Sequence, residues 1–151
     1  MSESSRHETI QPPPAPRVRP WRATARRVHG GIGLPVEATF HYDPDDPWAV
    51  RVTFRPPLGE AVDWTFSREL LRSGTRVLSG EGDVRLWPLR RGGREGRVRM
   101  RLGPVESFAV VDVDRAGLRG WLSETYGAVA EGEEAGRIVW AAETSQLFAR
   151  P

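Results

Sequence analysis

The chain has no cysteine and no lysine among its 151 residues, and only three histidines. Without cysteine there is no disulfide framework and no thiolate zinc site. None of the histidines, His7, His29 and His41, has a partner at metal-ligand spacing, and no serine sits in a nucleophile elbow, so neither an imidazole metal site nor an activated nucleophile is readily assembled. No apolar run is long enough to span a bilayer. The N-terminus also lacks the apolar core of roughly 7–15 residues that marks a secretory signal. These absences lead to the expectation of a soluble, cytoplasmic, non-enzymatic chain of about one domain, with no catalytic, cofactor-binding or metal-binding residue.

Lacking lysine, the chain carries all 22 of its cations as arginine, against 20 carboxylates and a net charge of +2. A GC-rich genome is sufficient reason for that bias, and the charge falls short of the excess typical of nonspecific nucleic-acid binders. The imbalance is local. Between Arg85 and Arg101 lie seven arginines and a single carboxylate, Glu95.

The hydrophobic fraction is 38% and includes six tryptophans. Each such ring brings roughly 150–250 Å² of surface to bury, so a few of them can supply much of a core. Residues 1–20 hold five prolines and no aromatic, a composition that cannot offset the entropy of ordering, and they read as a disordered tail rather than a polyproline II ligand. Residues 21–151 read as the folded domain.

Within it, Val62, Trp64 and Phe66 alternate with Asp63 and Thr65 at the period of a pleated strand. Ser67 is placed to cap a short helix from Arg68 to Arg72, with Gly74 as a left-handed exit and Trp64 packed beneath Leu70 or Leu71. A first strand is expected over Trp21–His29, a second over Leu34–Tyr42, and a third over Val50–Arg55 after the turn Asp43-Pro44-Asp45-Asp46-Pro47. Past the turn glycines Gly80 and Gly82, Asp83–Trp87 is extended. Pro88, with no N–H to donate, must end that strand or lie at a sheet edge.

Val98, Met100 and Leu102 alternate with Arg97, Arg99 and Arg101 in a further strand. Phe108–Val111, apolar on consecutive positions, suggests a strand covered on both faces, by a helix and by another subunit. Asp114 caps a helix from Arg115 to Tyr126 whose inward stripe is Leu118, Trp121, Leu122 and Thr125, with Gly117 and Gly120 marking close approach to the sheet. Glu131–Gly136 reads as an acidic loop, Arg137–Trp140 as a short extended piece and Ala141–Ala149 as a terminal helix. The whole is α+β: an antiparallel sheet of about seven strands with a helix after each half, plus a C-terminal helix.

Gly80-Glu81-Gly82-Asp83 precedes a strand rather than opening a helix, which rules it out as a phosphate cradle. Asp43, Asp45 and Asp46 lack the glycine and terminal glutamate of a calcium loop, and Asp112 with Asp114 reads as a strand end and a helix cap. One charged feature stands out. Arg97, Arg99 and Arg101 share one strand face, either as a solvated surface paired with carboxylates on neighbouring strands, which is preferred, or as a phosphate-contacting or partner-binding face. Single-stranded nucleic acid would also want stacking aromatics there, and Trp87 supplies one.

Three blocks, YDPDDPWAVRVTF from Tyr42 to Phe54, VDWTFSRELL from Val62 to Leu71 and GDVRLWP from Gly82 to Pro88, resemble the signature stretches of the SsgA-like proteins, regulators of sporulation and cell division in filamentous actinomycetes. The resemblance runs from Leu34 to Phe148. It implies a whirly-like fold, a trimer, no catalytic residues, and a role at the division septum through contacts with the tubulin-like protein FtsZ or with another SsgA-like protein. The alternative function is single-stranded nucleic-acid binding, and fold likeness alone does not decide between the two.

Overall fold

The computed structural model describes residues 16–90 and 96–138. Strands β1 (Trp21–His29), β2 (Ile32–His41), β3 (Ala49–Arg55) and β4 (Val62–Ser67) form a meander that ends in helix α1 (Arg68–Gly74). Strands β5 (Val84–Leu89), β6 (Arg97–Leu102) and β7 (Ala109–Asp114) form a second meander, which ends in α2 (Arg115–Ala128). All neighbours are antiparallel, and the seven strands lie in the order β4-β3-β2-β1-β7-β6-β5. The expected α+β architecture, with a helix after each half, is what the chain adopts.

The alternation read from sequence decides which face is dry. Ala25, Ala38, Phe40, Val50, Val52, Leu86, Val98 and Met100 are fully buried on the side that carries the helices, while Arg51, Arg55 and Asp63 point the other way and stay wet. Helix α2 contributes Leu118, Trp121, Leu122 and Thr125, the stripe that its spacing predicts, and Asp114 caps it by accepting the Gly117 N–H at 2.7 Å. Ser67 caps α1 through the Leu70 N–H at 3.2 Å. Helix α1 touches both β4 and β5, the two outermost strands. A sheet whose opposite edges meet one short helix must be strongly curled.

Two glycines of the helices sit where a side chain does not fit. A Cβ on Gly117 would lie 2.5 Å from the Trp21 ring, as its place against the sheet requires, whereas Gly120 faces open space and does not mark a close approach. Gly74 is the other. It is not a left-handed exit, since the helix ends on Thr75 at φ −72°; it is a contact point, because a Cβ there would lie 2.6 Å from Cβ of Leu86. Packing α1 onto β5, rather than turning the chain, is what calls for glycine.

The second of the two alternatives for Pro88 holds, and other expectations are corrected. Strand β5 runs through Pro88 and is an edge strand, one of the two places open to a proline that cannot donate. Trp64 lies on the core side, stacked on Phe66 at a centroid distance of 6.4 Å, yet is only half-buried, because β4 is the opposite edge and its far end, Val62, is 50% exposed. Phe108 precedes β7 and is 47% exposed; burial begins at Val111, where α2 covers the strand.

The acidic loop ends at Glu133, and residues 134–138 are helical rather than extended. That turn is held by Glu134, whose carboxylate accepts the Gly132 N–H at 2.7 Å, and by Arg137, which pairs with Asp45 at 3.0 Å. The expected terminal helix, Ala141–Ala149, and most of the N-terminal tail lie outside the described residues. Ahead of β1, Val18 already packs against the core and the Arg19 carbonyl accepts the Trp121 indole N–H at 2.9 Å.

Candidate functional site

Strand β6 puts Val98, Met100 and Leu102 into the core and so turns Arg97, Arg99 and Arg101 onto the outer face together. Register sets Arg99 between Trp87 of β5 and Asp112 of β7, and Asp112 in turn opposite Arg26 of β1. The Arg99 guanidinium donates to both oxygens of Asp112, at 2.8 and 3.0 Å. This fork-on-carboxylate geometry is the strong form of the ion pair, and Asp112 is 6% exposed. The bond to Asp112 raises the Arg99 pKa above its usual value.

The other two arginines differ. Arg101 lies over the Phe108 ring at 5.5 Å, and its Nε is buried without a hydrogen-bond partner. Arg97 is in register with Asp114, whose carboxylate is already engaged as the α2 cap. Among the described residues neither forms an ion pair. The face foreseen in the sequence therefore contains one neutralised cation, one stacked cation and one opposite a committed carboxylate.

Sequence reasoning missed a second constellation. Arg68, placed simply as the first residue of α1, is 1% exposed. Its Nη1 donates to the carbonyls of Thr125 and Val129 at 3.0 and 2.8 Å, and its Nη2 to Glu134 at 2.8 Å. The guanidinium also lies over the Tyr126 ring at 3.9 Å and near that of Tyr42 at 5.1 Å. One side chain thus ties the start of α1 to the last turn of α2 and to the turn beyond it. Strand alternation carries a hint of this: Phe66 points inward, so Arg68, two residues on, begins from the same side.

The surrounding groups are tuned accordingly. Burial pushes the Glu134 carboxyl up, but its own backbone N–H, Arg68 and the Gly132 N–H outweigh that and hold it below the usual carboxylate value. Burial pushes Tyr42 up to about 12 despite the nearby Arg68, and its hydroxyl donates to the Pro47 carbonyl at 2.9 Å. These groups are locked in structural bonds. Among the described residues no cluster of three or more His, Cys, Asp or Glu side chains is placed to hold a metal ion, and no helix is long and apolar enough to cross a membrane.

The β2–β3 turn with β3, the β4–α1 junction carrying Arg68, and β5 coincide with the three sequence blocks. Residues 36–134, from β2 to the partner of Arg68, match the family model described as Streptomyces sporulation and cell division protein, SsgA. The chain belongs to the SsgA family. A sporulation-specific cell division protein, SsgB, of Frankia casuarinae is 40% identical over 122 residues, covering 80% of this chain and 84% of the relative. That of Streptomyces coelicolor is 39% identical over 107 residues, covering 71% and 77%.

Solved structures of the SsgA family agree. An SsgA-like sporulation-specific cell division protein from Thermobifida fusca superposes with a TM-score of 0.79 at 32% identity, covering 85% of this chain and 94% of that one. A structure from work on SsgB mutations that correlate with longitudinal cell division during sporulation of Streptomyces coelicolor superposes with a TM-score of 0.72 at 35% identity, covering 78% and 93%.

Proposed function

We propose that this SsgA-family chain is a non-enzymatic regulator of sporulation-specific cell division that acts at the septum as an adaptor, through protein contacts. The observation that carries this is membership of a family whose relatives, matched over most of both chains, are sporulation-specific cell division proteins. The geometry supports it: the buried polar network around Arg68 is committed to holding the helices, which leaves the outer sheet face and the helical surface for contacts. Contact with FtsZ or another SsgA-like protein, and assembly as a trimer, belong to the same proposal.

Single-stranded nucleic-acid binding finds less support. Of the three arginines in β6, the central one is spent on Asp112, and the one aromatic of β5 beside it, Trp87, is partly buried.

A fluorescent fusion in sporulating hyphae is the direct test. Ladders of fluorescence at forming septa, with misplaced or missing septa on deletion, are expected. A fusion that stays diffuse while septa form, with normal spores after deletion, would overturn the proposal. Sedimentation of the purified chain tests the trimer, which a monomer at micromolar concentration would refute.

A further inference from the structure

Between the end of α1 and one flank of α2 lies a cleft of about 370 Å³. Its construction follows from helix spacing. Arg119, Leu122 and Tyr126 recur at intervals of three and four residues and so share one flank of α2, while Arg72 and Arg76 stand four apart at the end of α1. The floor is Leu122 and the Tyr126 ring; the rim is three guanidiniums and one carboxylate, Glu131.

The charges are unequally served. Arg72 stacks on Tyr126 at 4.8 Å and is bonded to Glu131 at 2.8 Å, so a carboxylate already occupies one of the three cationic positions. Arg76 and Arg119 are exposed, and among the described residues neither guanidinium has a hydrogen-bond or ion-pair partner. At the rear of the cleft α1 presents its C-terminal end: the Arg72 carbonyl takes the Thr75 hydroxyl, and the Thr75 carbonyl takes Arg115. That end carries partial negative charge. A phosphate, which favours converging backbone N–H groups, would there meet carbonyl oxygens instead. Single carboxylates spread along a rim of side-chain guanidiniums, with apolar neighbours on Tyr126 and the exposed Ala130, suit the cleft better.

We infer that this cleft is a docking site for an acidic segment of a protein partner, one in which glutamate or aspartate alternates with leucine-like residues, held by Arg76 and Arg119. The inference rests on the adaptor reading and specifies the chemistry of the segment that is bound.

The test is fluorescence anisotropy of the purified full chain at low ionic strength. The probe is a labelled peptide, Glu-Leu-Glu-Glu-Leu-Glu, with its glutamine counterpart as control. Saturable binding of the acidic peptide is expected. Arg76→Glu, Arg119→Glu or the glutamine peptide should each weaken it by about tenfold or more, the worth of one lost charge-assisted bond, with melting temperatures unchanged because both arginines are exposed.

No saturable binding by the unaltered chain, or equal binding by both reversals, overturns the inference. So does displacement by pyrophosphate at lower concentration than by unlabelled acidic peptide, which would assign the cleft to phosphate. A reversal that dissolves an oligomer while leaving peptide affinity intact would make it an interface between copies of this chain, and would also overturn it. The two readings fail separately: peptide binding with a diffuse fusion removes the adaptor role, whereas a septal fusion without peptide binding removes the cleft.

Discussion

Arg68→Ala is the perturbation from which the fold should suffer most for one side chain. The substitution removes three hydrogen bonds made by a cation, two to carbonyls and one to Glu134, together with the contact over Tyr126. Bonds to a charged group are worth about 1.5–3 kcal/mol each and a buried cation–π contact up to about 2, but they cannot be summed, since all share one desolvated guanidinium. The better measure is the cost of stripping one partner from a buried pair, about 3–5 kcal/mol, because Glu134 and the Thr125 and Val129 carbonyls are left without it. Against a total of roughly 5–15 kcal/mol that is a large share, and in a domain of this size it corresponds to a fall of roughly 6–20 °C in Tm.

Urea unfolding followed by tryptophan fluorescence reads the loss. Arg68→Met, Glu134→Gln and their double variant complete a cycle in which the double variant should cost clearly less than the sum of the singles. Glu134→Gln should also change the acid limb. The Glu134 carboxyl is held below its ordinary value of 4.5, so its stabilisation is present above that pH and is lost as pH falls through the lower folded value. The glutamine variant should lack that decline. A loss below about 1 kcal/mol for Arg68→Ala, or strict additivity in the cycle, would refute the claim that this residue holds the helices together.

Three further outcomes are expected. Gly74→Ala should destabilise by about 1–3 kcal/mol, because its Cβ would meet Leu86, whereas Gly120→Ala, in open space on α2, should stabilise by up to about 1 kcal/mol; paired thermal melts check both. Tyr42→Phe should lose about 1 kcal/mol at neutral pH with the Pro47 bond. Because the Tyr42 pKa is raised to about 12 from 10.0, the native chain should lose stability as pH climbs between those values, and the phenylalanine variant should lose less, measured by urea midpoints across the alkaline range. Arg99→Ala, which strips the buried Asp112 of its bidentate partner, should cost about 1–3 kcal/mol in urea unfolding and Arg101→Ala less than half of that, an order whose reversal would refute the pairing.

The strands, both caps and the inward stripe of α2 are legible in the sequence because each is a local pattern: alternation, an N-cap residue, a spacing of three and four. What is not legible depends on residues far apart. Gly74 looks like a helix stop until Leu86 arrives against it, and Trp64 looks buried until β4 proves to be the outermost strand. The arginine face is visible as a face, but not that Asp112 neutralises its centre, since that requires the register of β6 on β7. Arg68 is the clearest case. Its acceptors come from residues 125, 129 and 134, which nothing near residue 68 announces; the inward parity of Phe66 hints at its burial but not at what it binds. The cleft arginines carry no local signature either, because α1 and α2 meet only after the sheet has curled.

The pairing of β1 with β7 has a consequence for how the chain is made. Every other strand contact links neighbours in sequence through a hairpin or short connection, and these form early and cheaply because the loop to be closed is small. The seam between Arg26–Val28 and Val110–Asp112 joins the first strand to the last. On the ribosome the leading meander must wait, with one flank of β1 unsatisfied, until β7 has emerged. Closure of that seam is the step at which contact order is concentrated, so substitutions at Val28 or Val110 should slow refolding more than equally destabilising ones at the β3–β4 edge.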